Sequence, residues 1–360
     1  MADRDEHEAI LADLAAADAS LAAALDARAS AVQRLVTLRH RDPEGFFRGP
    51  LDEAVLRRIR DALRVFPPKD VEPIVRELLG VSAALAAPRR IAFFGADAGF
   101  AHLAARRTFG ETATYEARDS VQALLDEVRG ERVSRAVLPL ETSTDGVVSA
   151  TLHGLTAVEE VRICGEVTVA TSYHLYSPSG NAANVGKIYG AIPALGACEQ
   201  YLRRDHARAT VLDVPSGAMA AELARDDQGA AVLGTELLGA LYGLTRIAER
   251  VEDQAEARTR YAIVGRDLVP RTGRDRTIVS LALRDEPGAL YQSLAPFADR
   301  DVNLTRLESR PASRGPWRYV FYLEMDGHVS DRNVVTALED VRATSRHVRV
   351  LGSYPRPTER

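Results

Sequence analysis

The sequence predicts a multidomain α and α/β protein in three parts. These are an N-terminal all-α helical dimerisation segment, a two-lobed α/β domain with a hinge cleft, and a C-terminal βαββαβ unit. Three changes of period predict it. Apolar residues recur at helical spacing as far as Ala86. Short β-rich runs alternate with Ala/Leu helices from Arg89 to Asp267. From Thr277 to Gly352 the pattern reads strand, helix, strand, strand, helix, strand. The expected domains are 1–86, 89–267 and 277–355.

In the first segment Ile10, Leu14, Ala17, Leu21, Leu25, Val32 and Leu35 make one stripe along a helix of roughly 35 residues. Such a helix is about 50 Å long, more than a lone segment of this size can cover. A partner helix from a second subunit is the simplest cover, so a homodimer or tetramer is expected. Pro43 and Gly45 punctuate the helix end, and shorter helices follow around Leu51–Val65 and Val71–Leu85. In the second segment, EVTVATSYHLYS and TRIAERV read as two crossings of one hinge, which places a ligand cleft between two lobes. LVPRTGRDR is the polar linker to the third segment.

Composition excludes several function classes. The net charge of −5 is mild, and Lys69 and Lys187 are the only lysines among interspersed arginines and acids. That argues against nucleic-acid and membrane partners. No stretch approaches the roughly 18 apolar residues of a membrane span. MADRDEHEAI is charged where a signal peptide carries an apolar core. Cys164 and Cys198 have no metal spacing and read as reduced core thiols, and the histidines are scattered. A soluble cytoplasmic protein without metal or cofactor is expected.

Candidate sites lie where loops meet element ends. IAFFGADAGFAH runs from a strand through a glycine loop into a helix, a shape whose free amides suit a carboxylate. LPLETSTDG sets Glu141, Thr142, Ser143, Thr144 and Asp145 at a strand end, where ligands sit in α/β sheets. The same residues also make good turns. RTRYAIVG places Thr259 and Arg260 on the second crossing, either as donor and carboxylate clamp or as a solvated edge pair. Arg28 and Arg39, eleven residues apart, face one way about 16 Å apart on the long helix. Arg28 either meets an anionic ligand or pairs with an acid such as Glu53.

Taken together, these segments resemble the bifunctional chorismate mutase/prephenate dehydratases of phenylalanine biosynthesis. EPGALYQSLAPFADRDVNLTRLESRP and VLGSYPR look like the ACT domain of these enzymes. FAHLAARRTFG, RICGEV, GTELLGALYGL and the Thr259-Arg260-Tyr261 triplet are similar to the dehydratase domain, and the first segment to the helical mutase dimer. The resemblance implies loss of prephenate's ring hydroxyl and ring carboxylate together, with Thr259 as donor to the departing hydroxyl and Ser143 as a second catalytic residue. Arg260, Tyr261, Glu141, Thr142, Thr144, Gly95 and Phe100 would hold the substrate. Phenylalanine would bind as effector at Gly288, Ala289, Leu290, Asn303, Leu304, Glu308, Ser309 and Arg310.

The chain also departs from the family's pattern. In the loop G-P-x-G-T-F-S-H the hydroxyl positions are Gly99 and Ala101, and Thr142 replaces an Asn. GAIP stands where S-H-P-Q is expected, so the Gln is gone. Each lost hydrogen bond to a charged group costs about 1.5–3 kcal/mol. In the mutase-like site Arg28 and Arg39 remain, but Leu11 takes the place of another Arg. The implied protein is a phenylalanine-regulated prephenate dehydratase that has lost mutase activity. The alternatives are an inactive phenylalanine-binding regulator, or altered chemistry on prephenate such as decarboxylation.

Overall fold

A computed structural model describes residues 2–41, 51–86, 89–311 and 319–357. They form two compact units: residues 1–89 with 109–114, and residues 90–108 with 115–360.

In the first unit, helix α1 (Ala2–Arg41) is a single element of 40 residues, followed by α2 (Leu51–Ala62) and α3 (Pro68–Ala86). Val71 and Val75 are buried here with Ile59 and Leu79 packed against them. The Glu77 carboxylate accepts the Glu111 N–H at 3.1 Å, tying residues 109–114 to α3. The first half of the stripe along α1 is uncovered, with Ile10, Leu14 and Leu21 each more than half exposed, while Val32 is half-buried. Pro43 and Gly45 lie outside the described residues.

The second unit begins with a lobe of β1 (Arg90–Phe94), α4 (Phe100–Phe109), β2 (Thr114–Arg118), α5 (Val121–Arg129) and β3 (Arg135–Thr142). β4 (Gly146–Val147), α6 (Ser149–Ala157) and β5 (Arg162–Ala170) complete it. Ser120 caps α5 by accepting the Ala123 N–H, as a serine before an apolar helix should. The chain then crosses into a second sheet. This lobe holds β6 (His174–Ser177), β7 (Lys187–Gly190), α7 (Ile192–Ala197), α8 (Glu199–Asp205) and β8 (Thr210–Asp213). It ends with α9 (Gly217–Ala224), β9 (Ala230–Gly234), α10 (Leu237–Tyr242) and β10 (Thr245–Ala248), in the strand order β10-β6-β9-β7-β8. The return strand β11 (Arg258–Gly265) inserts antiparallel between β3 and β5 of the first lobe. EVTVATSYHLYS is therefore two strands in two sheets, and both expected crossings exist.

The C-terminal part runs β12 (Asp275–Ala282), α11 (Ala289–Ala298), β13 (Leu304–Pro311), β14 (Tyr319–Asp326), α12 (Arg332–Thr344) and β15 (His347–Pro355). This is the expected βαββαβ unit, with order β13-β14-β12-β15. It does not stand apart from the first lobe. β15 pairs parallel with β5 through Gly352 and Ile163, making one continuous ten-stranded sheet. One apolar core also spans both parts, joining Leu138, Leu155 and Ile163 to Ile278, Leu351 and Tyr354. Arg349 adds a cap, donating to the carbonyls of Thr156 and Val158 at the C-terminus of α6. Among the described residues, no helix is long and apolar enough to cross a membrane.

Candidate active site

Alternation along β11 decides which side chains can share a site, because neighbouring residues of a strand face opposite ways. Thr259 and Tyr261 lie on one face and Arg260 on the other. Thr259 is buried, 8% exposed, and its Oγ1 lies 3.4 Å from Oγ1 of Thr171 in the first crossing. Burial pushes the Tyr261 phenol above its ordinary pKa, with the Thr259 hydroxyl acting the other way. Hydroxyl chemistry therefore gathers on the hinge face of β11.

Both crossings are stitched together at this point. Thr171 N–H donates to Ala257 O at 2.8 Å, and Val251 N–H donates to Tyr173 O at 2.9 Å. The Glu252 carboxylate, its side chain 3% exposed, accepts from Ser172 Oγ at 3.1 Å and Tyr173 N–H at 2.9 Å. Sequence reasoning did not single out Thr171 or Glu252. Glu252 is one of four acids between β10 and β11, with Glu249, Asp253 and Glu256, so residue type alone did not mark it as the buried carboxylate that needs donors.

The glycine loop after β1 is bound up inside the protein. Gly95, with φ +89°, donates its N–H to Arg118 O at 2.9 Å, and Gly99 donates to Ala96 O at 3.2 Å. Ala98 N–H donates to His102 Nδ1 at 3.2 Å. Three amides expected to be free for a carboxylate are thus occupied, which corrects the picture of an open cradle. From the second lobe, Thr235 donates its hydroxyl to Ala98 O at 2.6 Å. That bond holds Ala98 at φ +57°, a left-handed conformation costing a non-glycine residue about 1 kcal/mol. Phe100 meets Tyr173 edge-on at 5.1 Å, so the loop also touches the first crossing.

His102 stacks on Phe93 at 4.4 Å with its Nε2 buried and unpartnered. Burial lowers its pKa from 6.5 to about 4, against the pull of Asp97 and with help from Arg106. The unfolded chain binds the proton more readily, so the neutral ring's contribution to stability is complete above pH 6.5. It is lost as pH falls from 6.5 toward 4. Urea unfolding should therefore show a loss approaching ~3 kcal/mol over that window. His102→Gln should remove that part of the slope, and an unaltered slope in the variant would assign it to other groups.

At the β3–β4 turn the oxygen cluster serves the turn. Thr142 Oγ1 accepts the Asp145 N–H at 2.8 Å, and Thr144 Oγ1 donates to Asp145 Oδ2 at 2.9 Å. Ser143 Oγ accepts the Arg258 N–H at 3.0 Å, which fixes the turn beside the start of β11. Ser143 and Thr144 then line an open recess of about 560 Å³ with Gln254, Ala255, Glu256 and Ala257.

Arg260 was expected to clamp substrate, and the structure corrects this. Its guanidinium is held on the opposite face from Thr259 by Glu166 at 2.7 Å, Glu141 at 2.9 Å and Glu324 at 3.0 Å. Arg276 also pairs with Glu166, and with Glu324 at 3.0 Å, while Arg306 pairs with Glu141. The Tyr354 hydroxyl donates to Glu166 at 3.1 Å. Burial works against the charge on Arg260, but Glu166 and Glu324 more than offset it and raise its pKa. Glu141 is likewise spent on this network rather than turned to the hinge face. The strands involved come from both the first lobe and the C-terminal part.

Residues 91–268 match the prephenate dehydratase family and residues 277–343 the ACT domain family. A bifunctional chorismate mutase/prephenate dehydratase of Aquifex aeolicus is 34% identical, over 81% of this chain and 80% of its own. The Pseudomonas aeruginosa enzyme of the same name is 30% identical over 99% of each. The chain belongs to this family. A solved prephenate dehydratase from Arthrobacter aurescens, in complex with L-Phe, is 32% identical, with a TM-score of 0.66. It covers 74% of this chain and 90% of its own.

In the ACT domain, Gly288 adopts φ +80° at the start of α11, directly before Ala289 and Leu290. Asn303 Nδ2 donates to Asp326 at 2.9 Å where β13 begins with Leu304. β13 is the sheet's edge strand, and its Glu308 and Arg310 pair with each other at 2.8 Å around the exposed Ser309. The expected effector residues thus lie on α11 and along one edge. In the mutase-like segment Arg28 is half-buried on α1. The side chains of Arg39 and Glu53 lie outside the described residues. Among the described residues, no group of three or more His, Cys, Asp or Glu could hold a metal ion. Burial pushes the Cys164 thiol up to about 11 and Cys198 to about 12, which keeps both protonated and inert at neutral pH.

Proposed function

We propose that the protein converts prephenate to phenylpyruvate, water and carbon dioxide under feedback control by phenylalanine, and has no chorismate mutase activity. Thr259 carries the reading: it is a buried hydroxyl at the seam of two lobes, on the face turned away from the charge network. As the bond from the ring to its carboxylate breaks, that electron pair enters the ring. The carbon–oxygen bond at the opposite ring position then releases the hydroxyl. The departing oxygen gathers negative charge, a hydrogen bond from Thr259 Oγ1 stabilises it as it leaves, and the hydroxide becomes water by taking a proton from solvent. Ser143, Thr142, Thr144, Gly95, Phe100 and Tyr261 surround the substrate in this reading, while Arg260 and Glu141 act through the junction with the ACT domain.

Phenylalanine binds at Gly288–Leu290, Asn303–Leu304 and Glu308–Arg310, beside the open edge of β13. A second copy covers that edge and the bare stripe of α1, giving a homodimer or a tetramer.

The test is phenylpyruvate formation from prephenate at neutral pH. Thr259→Val should abolish turnover above the spontaneous rate and leave phenylalanine binding unchanged. Turnover at the native rate in that variant would remove Thr259 from the mechanism. No product from the native protein, with phenylalanine still bound, would favour the regulatory reading.

A further inference from the structure

We propose that Thr171 is a positioning residue for the dehydration, orienting the Thr259 hydroxyl so that its hydrogen points at the departing oxygen. The inference rests on the dehydratase reading and deepens it. Thr171 sits in the three-residue crossing between β5 and β6, within the segment that marked the hinge but not among the candidate site residues. Its Oγ1 is 3.4 Å from that of Thr259, and the Tyr261 phenol on the same face of β11 also reaches the Thr259 hydroxyl.

A threonine hydroxyl has one hydrogen and two lone pairs, so two arrangements of this pair exist. If Thr259 donates to Thr171, its hydrogen is spent inside the protein. If Thr171 donates, a Thr259 lone pair is occupied and its hydrogen is free. A bound substrate hydroxyl can donate or accept, so both arrangements can make two hydrogen bonds before reaction. Once the departing oxygen gathers negative charge, only the second meets it with a donor, so the chain Thr171 to Thr259 to substrate is selected as the carbon–oxygen bond breaks, and each link polarises the next. At 3.4 Å the pair is loose, as catalytic hydrogen bonds often are before substrate tightens them.

The crossing is built to keep Thr171 in place. Its N–H is held by Ala257 O at 2.8 Å, two residues before Thr259. The next two residues are held by Glu252, through Ser172 Oγ at 3.1 Å and Tyr173 N–H at 2.9 Å. Backbone bonds set where Thr171 stands, so removing its hydroxyl leaves the stitch between the crossings intact.

The experiment measures kcat and KM for prephenate in the native protein, Thr171→Val and Thr171→Ser, with Thr171→Ala as a second hydroxyl-free variant in case the valine form does not fold. Thr171→Val should lower kcat about tenfold with KM unchanged, and Thr171→Ser should recover most of the loss. A native kcat in the hydroxyl-free variants would overturn the proposal. So would a serine variant as slow as valine, or a loss confined to KM. A native protein that turns over no prephenate would overturn the dehydratase reading along with it, an outcome distinct from active protein indifferent to residue 171.

Discussion

Replacing Arg260 with methionine is expected to destabilise the protein by about 3–5 kcal/mol at pH 7, read from urea unfolding. Methionine fills much of the volume but leaves Glu166 and Glu324 facing each other, with side chains 1% and 7% exposed. Arg276 must then balance both charges, with only the neutral hydroxyls of Tyr354 and Thr305 beside it. Arg260→Lys should recover little, because a single ammonium cannot bridge three carboxylates as the planar guanidinium does. The pH dependence has a defined sign. Burial raises the Glu324 pKa, but Arg260 and Arg276 outweigh it and hold the carboxyl below its ordinary 4.5. That stabilisation is present above the unfolded value and is lost as pH falls through the folded one. Without Arg260 the largest pull against burial is gone, so the variant's deficit should shrink as the medium is acidified toward pH 4.5. A deficit under about 1 kcal/mol at pH 7 would mean that the buried carboxylates do not depend on Arg260.

Gly352→Ala is expected to cost about 3 kcal/mol, at the upper end for added volume in a packed core. A Cβ there would lie 2.4 Å from Ile163 O and 2.6 Å from Ile163 Cβ. Neither is a flexible side-chain end, and Ile163 is 1% exposed in the core shared by the two domains. Gly352 and Ile163 also form the one registered pair that joins β15 to β5. Relief therefore requires the ACT sheet to move off the dehydratase sheet. Gly165→Ala on β5, the strand of Ile163, is the control, because its Cβ would meet Ile263 at an ordinary 3.5 Å. Equal urea midpoints for the two variants would show that the junction tolerates displacement.

Much of the candidate site could be read from short segments because its parts are local. The loop at Gly95, the turn at Ser143 and the triplet at Thr259 are each contiguous, and their residue types follow from turn chemistry and strand ends. What each side chain does was not readable. Thr259 and Arg260 are neighbours in sequence and were expected to act together, yet strand alternation sends one to the hinge and the other to the ACT junction. Glu166 and Glu324 left a faint signal as acids inside otherwise apolar strands. Arg260, which answers both, lies 94 residues from one and 64 from the other, beyond the reach of any local pattern.

By itself the sequence determined the helical, α/β and βαββαβ segments, the two hinge crossings and the family. These rest on hydrophobic period and on motifs contained within a few residues. Only the tertiary structure decided that the ACT and dehydratase sheets are one sheet, that Arg260 belongs to their junction, and that Thr171 stands beside Thr259. The physical reason is that strand order and register bring together residues far apart in the chain, and a one-residue change of face exchanges one set of neighbours for another.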